Sequence, residues 1–200
     1  MLESLFDDAL AMVNEIHGQQ FRKGTKVPYI AHLLAVAALS LEANEYHGYE
    51  PKEDLAIAAL FHDAIEDQGD KINLEQIRNK FGNKVHEIVR DCSDASIDRE
   101  GQEKPPWRER KESYILKIAT KSREALIVSC ADKLHNARSI MFDLEHKGVG
   151  FWDRFNAGKE DQLWYYKSLT RAFRMAWPEH PLLSELQSIV DRMEDAISTK

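Results

Sequence analysis

The chain has 200 residues, 43% hydrophobic and 30% charged, with a formal net charge of −7. That is enough for a sizeable core in one domain, with the balance of an ordinary globular protein. The acidic excess argues against a general duplex nucleic-acid binder, which needs a basic face, and no apolar run is long enough to span a bilayer. Met1 to Asp8 lacks the basic and apolar regions of a signal peptide, and Cys92 and Cys130 are isolated, fitting no zinc or redox spacing. A reducing cytoplasm is the expected setting, with no membrane partner.

The dominant period is helical. Leu5, Phe6, Ala9, Met12, Val13 and Ile16 make one apolar stripe. Gly18 and Gly24 bracket a polar turn, and Pro28 suits the start of a second helix over roughly 29–44. Pro51 opens a third, which carries a charged cluster and ends at Gln68-Gly69-Asp70. Asn73 is placed to cap a short helix with Ile77 and Phe81 inward; Gly82 breaks it, and Val85, Ile88 and Val89 mark the next. Residues 93–106 read as a long loop. Helices follow over about 107–119, 123–147, 159–176 and 182–197, the last two separated by Pro178 and Pro181. No strand alternation, internal repeat or low-complexity tract stands out. The expected fold is all-α, a compact multi-helix bundle in a single domain over 1–200, with a core of about 1–147 and C-terminal helices over 148–200 packed on it.

The chemistry concentrates in Leu60-Phe61-His62-Asp63-Ala64-Ile65-Glu66-Asp67. On a continuous helix His62 lies one turn from Glu66, and Asp63 one turn from Asp67, so one imidazole and three carboxylates share a side. Burying that side is costly unless a cation neutralises it. Two further helices bring ligand types into apolar surroundings: His32 in Tyr29-Ile30-Ala31-His32-Leu33-Leu34, and Asp132 in Val128-Ser129-Cys130-Ala131-Asp132-Lys133-Leu134-His135-Asn136. Each has an ordinary explanation. A lone histidine on an apolar helix is usually a hydrogen-bonded core residue, Asp132 can pair with Lys133 or Arg138, and Glu66 and Asp67 can be a solvated helix end. Carboxylates are disfavoured at the negative end of a helix dipole, however, and the order His, His-Asp, Asp is hard to reach by accident. Imidazole with carboxylate suits Mn²⁺, Fe²⁺ or Zn²⁺, and such an ion polarises a phosphoryl oxygen.

These motifs resemble the HD-domain metal-dependent phosphohydrolases, and within them the hydrolase domain of RelA/SpoT homologues, especially the small stand-alone alarmone hydrolases. The matching pieces are Arg22-Lys23-Gly24 with Pro28-Tyr29-Ile30-Ala31-His32, the Leu60 to Asp67 stretch, Leu74-Glu75-Gln76-Ile77 with Phe81-Gly82 and Val85, and Ala131-Asp132-Lys133-Leu134-His135-Asn136-Ala137-Arg138. The resemblance implies that His32, His62, Asp63 and Asp132 hold one Mn²⁺, with Fe²⁺ or Zn²⁺ as substitutes. It implies that Glu66 and Asp67 position and deprotonate the attacking water, without saying which is the base. It places Arg22 and Lys23 beside a purine ring and Asn136 at the ribose or phosphate; Tyr29 either lines the pocket or covers the core. The implied substrate is a small nucleotide of the (p)ppGpp type, losing its 3′-pyrophosphate to leave GDP or GTP. His86 alone lies between Asp63 and Asp132, where a surface role is expected, so a second ion is not. The chain is too short to carry a synthetase or regulatory domain as well.

Where the long enzymes of this family show Asp-Gly-Val-Thr-Lys, this chain reads Asp91-Cys92-Ser93-Asp94-Ala95. That leaves open another nucleotide, such as (p)ppApp, NADPH or a nucleoside triphosphate. A non-catalytic nucleotide-binding or antitoxin-like module is the third reading, and the full acid and histidine set argues against it. Arg108, Arg110 and Lys111 either meet 5′-phosphates or form an exposed helix face. His17, His47, His146 and His180 show no partner pattern.

Overall fold

A computed structural model describes residues 2–93, 105–154 and 157–198. Ten α-helices and no extended strand occur among them: α1 (Ser4–Ile16), α2 (Ile30–Asn44), α3 (Lys52–Phe61), α4 (Ala64–Asp67), α5 (Leu74–Phe81), α6 (Asn83–Cys92), α7 (Trp107–Lys117), α8 (Arg123–Lys147), α9 (Lys159–Ala176) and α10 (Leu183–Ser198). The all-α expectation holds. Most of the loop expected over 93–106 lies outside the described residues. The packing divides into two compact units, one of residues 1–101 with 121–131, the other of 102–120 with 132–200. The division falls inside α8, which runs unbroken through it.

In the first unit α3 is the buried axis. Leu55 to Phe61 are seven consecutive buried residues, so this helix has no wet face at its C-terminal end. It packs against α1, α2 and α6. α1 contributes Ala9, Val13 and Ile16. Its N-terminus is closed from a distance: Glu53 Oε1 accepts hydrogen bonds from the Glu3 and Phe6 amides at 2.7 and 3.1 Å, and the Phe6 amide is shared with the Glu3 carbonyl. Asn73 and Gln76 form the capping box of α5, and Phe61 meets Phe81 at a ring distance of 5.2 Å. Between α1 and α2 the polar turn is pinned by an isolated antiparallel bridge from Phe21 to Pro28, with Gly24 at φ +70° making the reversal.

One expectation fails. The third helix does not continue through the charged cluster. It stops at Phe61, His62 and Asp63 form a turn, and the short α4 begins at Ala64. His62 Nδ1 lies 2.8 Å from the Ala59 carbonyl, the acceptor that an unbroken helix would offer to the Asp63 amide. Asp63 sits at φ −101°, ψ −4°, off helical values. The cluster therefore does not share one buried side: His62 is buried and Asp63 partly so, while Glu66 and Asp67 are exposed.

The second unit is built on α9, which packs against α7, α10 and the 3₁₀ turn Ile118–Thr120. Tyr165, Tyr166, Leu169 and Phe173 of α9 and Leu186, Ile189, Val190 and Met193 of α10 are its core. Leu134, Ala137, Ile140, Met141 and Leu144 of α8 are buried at helical spacing. Ion pairs at Arg138–Glu185, Arg192–Glu145 and Lys167–Glu194 cross its surface. No helix among the described residues is long and apolar enough to cross a membrane.

Candidate metal centre

Three segments deliver the four candidate ligands. His32 stands in the first turn of α2, fully buried; His62 and Asp63 occupy the turn that ends α3; Asp132 follows Ala131 on the buried face of α8. One ligand atom from each of His32, His62, Asp63 and Asp132 can be chosen so that all lie within 4.8 Å of one another. His32 Nε2 and His62 Nε2 approach the same oxygen, Asp63 Oδ2, at 3.5 and 3.0 Å. Two donors bound to one first-row divalent ion at about 2.1 Å stand no more than about 4.2 Å apart, so this cluster needs only a small contraction to close on an ion.

The surroundings fix each donor. A carbonyl can only accept, so the Ala59 contact puts a hydrogen of His62 on Nδ1 and turns Nε2 toward the Asp63 carboxylate. Tyr29 donates its hydroxyl hydrogen to Asp63 Oδ2 at 2.5 Å. Asp132 accepts from Lys133 Nζ at 2.6 Å and from the Asn136 side-chain amide one turn later. Burial alone would push the Lys133 ammonium down; the Asp132 carboxylate, with Tyr114 and Tyr165, outweighs it and holds the group well above the usual lysine range. Two carboxylates and two imidazoles meet in a largely buried place beside the Lys133 ammonium. A divalent cation is the ion that the donor chemistry fits.

The remaining expected site residues divide. Arg22 is half-buried with its guanidinium 5.7 Å from the Tyr29 ring centre, whereas Lys23 is exposed on the turn. Tyr29 touches the centre through Asp63, and Asn136 through Asp132. Glu66 and Asp67 sit on α4, the Asp67 amide bonding to the Asp63 carbonyl at 3.0 Å. Arg108 stacks on Trp164 and pairs with Glu112 and Asp161 in the second unit.

Sequence reasoning missed His17 and Gln20. His17 is buried, stacks on Tyr29 with ring centres 5.2 Å apart, and contacts Gln20, whose amide reaches Asp67. The only signal was position, a histidine and a glutamine five and two residues ahead of Arg22.

Comparison with known proteins follows the same lines. The family model described as HD domain matches residues 9–150. The guanosine-3′,5′-bis(diphosphate) 3′-pyrophosphohydrolase MESH1 of Xenopus tropicalis is 33% identical over 138 residues, covering 68% of this chain and 70% of that protein. The putative chloroplastic GTP diphosphokinase RSH1 of Oryza sativa subsp. japonica is 30% identical over 146 residues; the match takes in 70% of this chain but spans 16% of that protein's length. Among solved structures, a metazoan orthologue of SpoT that hydrolyses ppGpp superposes with a TM-score of 0.71 at 24% identity, over 96% of this chain and 97% of that one, a likeness of fold.

Proposed function

This chain belongs to the HD-domain family, and we propose that it removes the 3′-pyrophosphate of (p)ppGpp-like alarmones, giving GDP or GTP and pyrophosphate. The observation that carries the reading is the convergence of His32, His62, Asp63 and Asp132 within 4.8 Å, in a chain that matches most of a named ppGpp hydrolase. These four residues would hold one divalent ion, which we assign as Mn²⁺, with Fe²⁺ or Zn²⁺ able to replace it. Such an ion supplies Lewis-acid polarisation of a phosphoryl oxygen and makes water a stronger acid.

The protein's own groups do the rest. Glu66 and Asp67 orient the attacking water and take its proton; both are exposed, so the proton passes on to solvent. The water oxygen bonds to the phosphorus nearest the ribose, the bond from that phosphorus to the 3′ oxygen breaks, and the 3′ oxygen takes up a proton. Arg22 offers a charged plane beside Tyr29 for the purine and its phosphates, with Lys23 as a second cation on the same turn. Asn136 serves the ribose or phosphate with the side chain that also braces Asp132. The same reading makes the chain one HD-type domain over 1–200 with a core of about 1–147. It sets the chain in the reducing cytoplasm, where Cys92 and Cys130, both buried thiols, stay reduced.

The test is a nucleotide panel of ppGpp, ppApp, NADPH and a nucleoside triphosphate, incubated with metal-loaded protein and followed by product analysis. Pyrophosphate released from the 3′ position of ppGpp supports the reading. Exclusive 5′ cleavage overturns the alarmone assignment, and tight binding with no turnover overturns the enzyme.

A further inference from the structure

In the first unit a line of polar side chains leads from the end of α1 to Asp67. His17, 2% exposed, lies just past the last residue of α1. Its Nδ1 is 2.6 Å from Gln20 Oε1. The same oxygen accepts from Gln68 Nε2 at 2.8 Å, and Gln20 Nε2 donates to Asp67 Oδ2 at 2.7 Å. These contacts fix the amide. Turned over, Gln20 would set its NH₂ against the NH₂ of Gln68 and its oxygen against a carboxylate. With Oε1 therefore facing His17, the hydrogen of that ring must be on Nδ1. Oδ2 of Asp67 is engaged, and Oδ1 has no partner among the described residues. A neutral amide neither gives up nor takes on a proton at ordinary pH, so this chain of bonds conveys orientation rather than protons.

We propose that His17 and Gln20 are positioning residues for the hydrolysis: His17 locks the Gln20 amide, and the amide holds the Asp67 carboxylate with Oδ1 turned to the attacking water. This rests on the role given to Asp67 above. Gln68, from the turn after α4, bonds the same amide oxygen and ties the two segments together across 48 positions of sequence.

The experiment compares His17→Leu, His17→Asn and Gln20→Leu, each alone and combined with Asp67→Asn, with ppGpp as substrate. Asparagine places an N–H donor near the position of Nδ1. The expected result is a fall in kcat of about 10-fold for His17→Leu and Gln20→Leu, the scale of losses when a supporting hydrogen bond is removed from a functional group. KM and bound metal should stay unchanged, His17→Asn should recover most of the rate, and neither leucine variant should add to the loss in Asp67→Asn. Losses that persist in the Asp67→Asn background, fall on KM alone, or are as deep in His17→Asn as in His17→Leu overturn the proposal. Should His17→Leu fail to fold, Gln20→Leu carries the test, because the backbone bonds of Gln20 to His17 and Tyr29 do not use its side chain.

A second readout needs no turnover. Imidazole ¹⁵N correlation spectra of the resting protein should show His17 as the Nδ1–H tautomer, with that preference lost in Gln20→Leu. An Nε2–H tautomer overturns the relay even in an active enzyme. A protein with the Nδ1–H tautomer that hydrolyses no nucleotide overturns the reaction assigned above and the positioning role with it, leaving only the hydrogen-bond chain.

Discussion

Tyr29 and Asp63, 34 positions apart, are joined by a hydrogen bond of 2.5 Å from the phenol to carboxylate Oδ2, the same oxygen that His32 and His62 approach. The tyrosine thus braces the Asp63 carboxylate, which is proposed above as a ligand, while its ring lies against His17 and under Arg22. Partners of this kind set ligand orientation, and their removal typically lowers metal affinity or activity about 10- to 100-fold.

Tyr29→Phe keeps the ring and removes the hydroxyl. Its Mn²⁺ affinity, measured by titration calorimetry, should fall by about 10-fold with little change in folding stability. Unchanged affinity would mean that the tyrosine only covers the core.

Asp63→Asn and Glu66→Gln should separate ligand from base. The first deletes a charged ligand and should lower both bound metal and turnover. The second should retain metal, measured by elemental analysis of the purified protein, and lose about 10²- to 10⁴-fold in kcat, the usual contribution of a general base. Equal metal loss in both would contradict this division of roles.

His17 should leave a mark on the pH dependence of stability. Burial lowers its imidazole below the ordinary 6.5, against the raising pull of the Gln20 hydrogen bond and the Asp67 and Asp63 carboxylates. The unfolded chain therefore takes up this proton near pH 6.5, and the folded chain only at lower pH. The folded state loses stability as pH falls from 6.5 through the lower folded value. Urea denaturation at about pH 7.5 and about pH 5.5 should show His17→Asn losing less stability on acidification than the parent. An equal loss in both would contradict the burial argument.

The fold itself is tested at Phe61 and Asn73. Phe61 is fully buried against Phe81, so Phe61→Ala should destabilise by about 3–5 kcal/mol. Asn73→Ala removes one half of the capping box and should cost about 1 kcal/mol. Chemical denaturation measures both.

Much of the architecture was legible because its signals are local. The limits of α8 and α9 match the sequence expectation at Arg123, Lys147, Lys159 and Ala176, and Asn73 caps α5 as expected. Glycines, prolines and apolar spacing mark such ends without reference to the rest of the chain. The convergence of His32, His62, Asp63 and Asp132 could be anticipated because ionisable ligand types on apolar helices have little reason to be buried apart. The break after Phe61 was not legible, since the run from Leu55 to Ile65 stays helix-compatible through His62 and Asp63, and nothing in it announces that the His62 ring meets the Ala59 carbonyl. The His17–Gln20–Asp67 line was hidden for a different reason. Its decisive bond spans 47 positions, and neither residue type carries a pattern that announces a partner so far away.

The most direct measurement is ppGpp turnover by chelated protein as Mn²⁺ is added back in known amounts, with the products identified. The account predicts no turnover without metal, activity that saturates at one ion per chain, and GDP with pyrophosphate as products. Turnover that survives chelation, or that is restored equally in a protein carrying alanine at His32, His62, Asp63 and Asp132, would contradict it.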